Sequence, residues 1–197
     1  MKKEIRLAEL RMAIPTQEAI DSNEMIVEGY ALVFESPTVM FEQDGIQYKE
    51  IIQRGALDNC DLNDVPFRYN HSNEVMIMAR TRNKTLQLMV DDNGLKITAN
   101  LANTTTGKDL YELIKRSDID KMSMAMYVAE DSYDRATNTR TITKISKLGD
   151  VSAVDMPAYD QTSISCRSFF ETQHEMEQKI LKEKEIFRQL LILKTYL

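Results

Sequence analysis

The 197-residue chain has no tryptophan, two cysteines, two histidines, four prolines and six glycines. Cys60 and Cys166 are too few and too far apart for a disulfide framework or a zinc site, so both are expected as reduced thiols. No stretch approaches the roughly 18 uninterrupted apolar residues that a membrane span requires. The N-terminal MKKEIRLAELRMAIP is basic without an apolar run behind it, so no secretory signal is expected. A soluble, cytosolic protein follows as the expectation. The formal net charge of −6 lacks the basic footprint of a general nucleic-acid binder, and neither nucleic acid nor membrane is expected as a partner. Also missing are a GxSxG elbow, an HExxH pair, paired CxxC motifs and a GxxxxGK[ST] loop, and no metal or cofactor is expected. No internal repeat is present.

What is there suits one compact domain plus an appendage, with 43% hydrophobic and 28% charged residues. Residues 25–34 (MIVEGYALVF) are β-branched and aromatic, and Ser36-Pro37 ends the run. A second strand is expected over Ile46 to Ile52, then a short helix over Gly55 to Asn59. Val65, Phe67 and Tyr69 alternate with Pro66, Arg68 and Asn70, which predicts a half-buried strand running up to His71. Residues 84–90 and 95–101 flank Asp92-Asn93-Gly94 as a hairpin. The period then changes: Leu110, Leu113 and Ile114 place an amphipathic helix over 107–116. Strands over 121–130 and 139–154 follow, joined by the polar stretch Asp131 to Asn138. Ser168-x-x-Glu171 reads as a capping box opening a C-terminal helix without glycine or proline. The fold class read from this pattern is α+β and β-rich, with a domain over residues 1–167 and a helical tail over 168–197.

Few residues offer chemistry. His174 stands among acidic neighbours on the tail helix and reads as a solvated surface residue. His71 stands at a strand end, held by the sheet and open to a cleft, where a structural and a catalytic role both fit. On the strand 121–130, Met122, Met124, Met126 and Val128 form one face, and Ser123, Ala125 and Tyr127 the other. A serine beside a small alanine on a rigid strand suits an accessible nucleophile, and equally an ordinary strand serine. If the following turn centres between Ala136 and Asn138, Ser123 lies opposite a residue between 149 and 153. Asp150 falls in that window. A serine, an acid across the strand pair and a histidine are the parts of a Ser-His-acid arrangement, although spacing does not bring His71 to the other two.

Seven segments in order resemble the prohead proteases of HK97-like tailed phages, over roughly residues 26–165. They are Gly29-Tyr30-Ala31-Leu32-Val33-Phe34, Tyr48-Lys49-Glu50-Ile51-Ile52-x-x-Gly55-Ala56, Asn70-His71, Gly94-Leu95, Thr105-x-Gly107, Met122-Ser123-Met124, and 149–159 (GDVSAVDMPAY). The resemblance implies an assemblin-like fold, a partly closed antiparallel β-barrel with flanking helices. It implies a serine endopeptidase with His71 as general base, Ser123 as nucleophile and Asp150 at the acid position. That position is Glu in the family's usual E-V-S triplet, so the acid here is one methylene shorter; Glu50 and Asp155 are the other acids within the pattern. Similar enzymes work inside the procapsid in the host cytoplasm, on scaffold or the capsid protein's leader and often on themselves. The expected partners are therefore the major capsid protein or scaffold, with homo-oligomerisation left open. A loop at Met156 to Tyr159 is the candidate source of oxyanion donors. The rival readings are a catalytically silent assembly protein of the same fold and a small-molecule esterase.

Overall fold

Strands are the dominant secondary structure of the described residues up to 155. The computed structural model describes residues 3–12, 24–155 and, in the C-terminal segment, 169–189 other than 171, 174 and 177; in the first strand it describes only the side chains of Glu4 and Arg6. The strands are β1 (Lys3–Met12), β2 (Ile26–Val33), β3 (Thr38–Gln43), β4 (Ile46–Ile52) and β5 (Pro66–Tyr69). After them come β6 (Ala79–Arg80), β7 (Leu86–Val90), β8 (Gly94–Asn100), β9 (Lys121–Asp134) and β10 (Thr139–Val154). The sheet runs β3-β4-β10-β9-β1-β2-β8-β7, with β5 on β10 and β6 on β5. This is the expected β-rich α+β class.

Two features differ from an antiparallel barrel. Among the described residues the path from β3 to β7 does not close. The long β10 also carries two parallel neighbours, β4 along Thr139 to Ile142 and β5 along Val151 to Ala153. Both neighbours reach it after excursions long enough for the crossover that parallel pairing demands.

Three strands appear where none was expected, β1, β3 and the two-residue β6. β1 is rich in charge, and β3 is an edge strand with only Met40 buried. The short helix expected over Gly55 to Asn59 is a chain of turns, with Ala56 N–H donating to Gln53 O and Asp58 N–H to Gly55 O. Gly55 has φ of +89°, a left-handed conformation that a right-handed helix does not admit. The polar connection from Asp131 shrinks to residues 135–138, because β9 continues to Asp134 and β10 begins at Thr139.

The helix Thr105–Lys115 is capped by Thr104, whose Oγ1 accepts from Gly107 N–H at 3.1 Å, and it buries Leu110 and Ile114. In the sheet, Met122, Met124 and Met126 pack into one core with Val27, Leu95, Ile97, Phe67, Ile145 and Val151. A second compact unit spans Ser163–Leu197, and the described positions between 169 and 189 are helical. Met176, Ile180, Leu181, Ile186 and Phe187 are exposed on it. Ser168, Glu171, His174 and Cys166 lie outside the described residues, as do Met156 to Tyr159. No helix among the described residues is long and apolar enough to cross a membrane.

Candidate active site

The site forms where β5, β9 and β10 meet. β5 delivers the histidine. Its parallel pairing with β10 is extended past Tyr69 by Asn70 N–H, which donates to Ala153 O at 2.9 Å. There the chain leaves the sheet: Asn70 and His71 have φ of 49° and 53°, two consecutive left-handed residues, so His71 sits on a tight turn just beyond the strand. Ser72 N–H closes the turn on Tyr69 O at 3.0 Å, and Arg68 Nη1 donates to Ser72 O at 2.8 Å. Asp155 grips it from β10's end, accepting from Tyr69 Oη at 2.8 Å and Asn70 Nδ2 at 2.9 Å, while its own N–H donates to Asn70 Oδ1 at 3.2 Å. The hydrogen bond to Asp155 holds the Tyr69 phenol above its ordinary pKa.

β9 delivers the serine. Ser123 pairs with Leu7 of β1 on one side and Ser152 of β10 on the other, so it is central in the sheet. Its Oγ is 2.8 Å from His71 Nε2. The sequence suggested an accessible side chain, but Ser123 has 0% exposure. Residues 122–126 are buried on both faces of the strand, and the His71 ring, its side chain 12% exposed, lies over the hydroxyl.

β10 delivers the acid through an irregularity. Leu148 pairs with Met126 but Asp150 pairs with Ala125, so Gly149 is one residue extra. Continued in the register of Leu148, β10 would set Asp150 opposite Met124, on the methionine face. The bulge turns it to the Ser123 face instead. Asp150 Oδ1 there contacts His71 Nδ1, and Ser152 Oγ donates to the same oxygen at 2.9 Å. The shorter aspartate therefore reaches the ring.

Donor and acceptor accounting assigns the tautomer. An ionised carboxylate only accepts, so Nδ1 carries the proton facing Asp150, and Nε2 presents its lone pair to the Ser123 hydroxyl. That arrangement suits proton abstraction from a nucleophilic oxygen.

The other two acids are engaged elsewhere. Asp155 braces the turn. Glu50, 3% exposed, is held by Arg6 through both carboxylate oxygens and by Arg140 Nη1 at 3.3 Å. Arg140 also donates to Glu4 at 2.7 and 3.1 Å and to Asp131 at 2.6 Å. Burial alone would raise the Glu4 carboxyl, but the Arg140 hydrogen bond and the charges of Arg6 and Arg140 outweigh it, holding its pKa below the ordinary range. Sequence reasoning missed Ser152 as a site residue; its signal was the two-residue spacing from Asp150, which puts both on one face. Among the described residues no group of three or more His, Cys, Asp or Glu side chains forms a metal cage.

A sequence-family model described as caudovirus prohead serine protease matches residues 12–177. No curated protein matches the chain. Among solved structures the chain is similar to the bacteriophage T4 capsid assembly protease, at 12% identity and a TM-score of 0.45, covering 78% of this chain and 99% of that one.

Proposed function

The chain belongs to the caudovirus prohead serine proteases, and from that premise we propose that it is a serine endopeptidase working through Ser123, His71 and Asp150. The observation that carries this reading is the relay of contacts from Ser123 Oγ to His71 Nε2, 2.8 Å apart, and from Nδ1 to Asp150. His71 Nε2 takes the hydroxyl proton as Ser123 Oγ attacks the peptide carbonyl. The imidazolium, stabilised by Asp150, then returns the proton to the leaving amine. Water repeats the sequence on the acyl-enzyme. The substrates we assign are scaffold or the capsid protein's leader, within the procapsid in the host cytoplasm, and the chain itself.

The test is incubation with the phage's own capsid or scaffold protein. Ser123→Ala and His71→Ala should each fall to near background, since such losses run to about 10⁶-fold in turnover in a worked serine protease. Either variant keeping more than about a tenth of wild-type activity overturns the assignment.

A second reading, a catalytically silent assembly protein, draws on the burial of Ser123. A wild-type chain that binds capsid protein and never cuts it decides for the second.

A further inference from the structure

We propose that Ser152 is a positioning residue, whose hydroxyl ties the backbone of His71, its ring and the Asp150 carboxylate into one fixed relation; this rests on the proteolytic role proposed above. Ser152 lies directly opposite Ser123 in the β9–β10 pairing and has no exposed surface. Its Oγ is 2.9 Å from Asp150 Oδ1, 3.3 Å from His71 N and 3.2 Å from His71 Nδ1. A hydroxyl has one proton and two lone pairs. The carboxylate takes the proton, the His71 backbone N–H takes one lone pair, and the other faces the Nδ1–H. All of its capacity is spent inside the site.

The turn gives this hydroxyl something to hold. Asn70 and His71 both occupy the left-handed region, a conformation that persists in non-glycine residues only where the surroundings over-determine it. Asn70 is fixed by Ala153 O and Asp155. The His71 amide is caught by Ser152. Losing that contact frees the base to pivot relative to Asp150, and displacement of a reacting group by about 1 Å costs on the order of 10²-fold.

The experiment is a double-mutant cycle over Ser152→Ala and Asp150→Asn, with Ser123→Ala as control. Wild-type chain is first digested with its own capsid protein to locate a cut, and a peptide spanning that cut serves as substrate. Ser152→Ala should lower kcat roughly 10- to 100-fold with KM essentially unchanged. Ser152→Thr, which returns the hydroxyl, should recover most of the loss. The double variant should be no slower than Asp150→Asn alone, because Ser152 acts through the pair that variant already disables. Wild-type kcat in Ser152→Ala, or two losses that multiply in the double variant, overturns the positioning role. A Ser123→Ala chain that still cuts overturns the proteolytic reading itself, and so separates the two failures.

Discussion

Asp150→Asn removes one charge and almost no volume, so its effect isolates what the carboxylate does for the ring. In the wild-type site Asp150 Oδ1 receives both the Nδ1–H of His71 and the hydroxyl proton of Ser152. An asparagine offers one acceptor oxygen and an NH₂ group. If the oxygen keeps the Ser152 proton, the NH₂ faces Nδ1, which must then accept. The ring proton moves to Nε2, points at Ser123 and leaves no lone pair for its hydroxyl. The same substitution in a worked serine protease lowers kcat about 10⁴-fold with geometry intact, equivalent to about 5 kcal/mol of transition-state stabilisation. Because the side chain is nearly isosteric, the circular-dichroism spectrum should match wild type. The assay is initial-rate cleavage of a capsid-derived peptide, paired with the rate at which a fluorophosphonate labels Ser123. Both should fall together. Asp150→Asn within about tenfold of wild type, beside a loss of order 10⁴ in Glu50→Gln or Asp155→Asn, would refute the tautomer argument.

The buried ionic network makes its own predictions. Arg140→Met leaves Glu4 and Glu50 with Arg6 and takes from Asp131 its Arg140 contact, and breaking a buried pair costs about 3–5 kcal/mol. A thermal melt should show a drop of roughly 6–20 °C, and a drop smaller than about 2 °C would contradict it. The folded-state pKa of Glu4 is lowered, so the stability it contributes is present above its ordinary value of 4.5 and is lost as pH falls through the folded value. Melts from pH 7 to 3 should show that loss, and Glu4→Gln should flatten it. Burial and the neighbouring Asp61 charge push the Cys60 thiol up to about 11 from an ordinary 9.0. In a Cys166→Ser background its alkylation by iodoacetamide at pH 8 should be roughly 100-fold slower than that of a free thiol, through the smaller thiolate fraction alone.

Much of this was legible in the sequence because alternation reports burial. β4, β5, the β7–β8 hairpin and the start of β9 were read within a residue or two. β1 escaped because its described inward side chains, Glu4 and Arg6, are charged and buried only by pairing with Glu50 and Arg140, which inverts the usual signal. Hairpin counting set Asp150 within two residues of the position opposite Ser123, where the structure has Ser152. It could not choose among Asp150, Glu50 and Asp155, since a single bulge decides which face Asp150 occupies. Nor could it bring His71 to the site, because parallel pairing between β5 and β10 leaves no local trace. The burial of Ser123 was hidden too, since a side chain from the turn after β5 lies over it.

That β5–β10 junction also has a meaning in time. Phe67, Arg68 and Tyr69 meet Val151, Ser152 and Ala153 across more than eighty intervening residues, so loop-closure entropy defers this pairing beyond the local hairpins. His71 hangs from one side of the junction and Asp150 from the other. On the proposed mechanism, a chain still emerging from the ribosome would therefore hold Ser123 without the pair that activates it. Competence should arrive only once this long-range contact has formed, and in a refolding experiment fluorophosphonate labelling should lag the recovery of β-sheet circular dichroism. Simultaneous onset would mean the junction forms early. On the proteolytic mechanism proposed above, the chain would in this way be silent until it is whole.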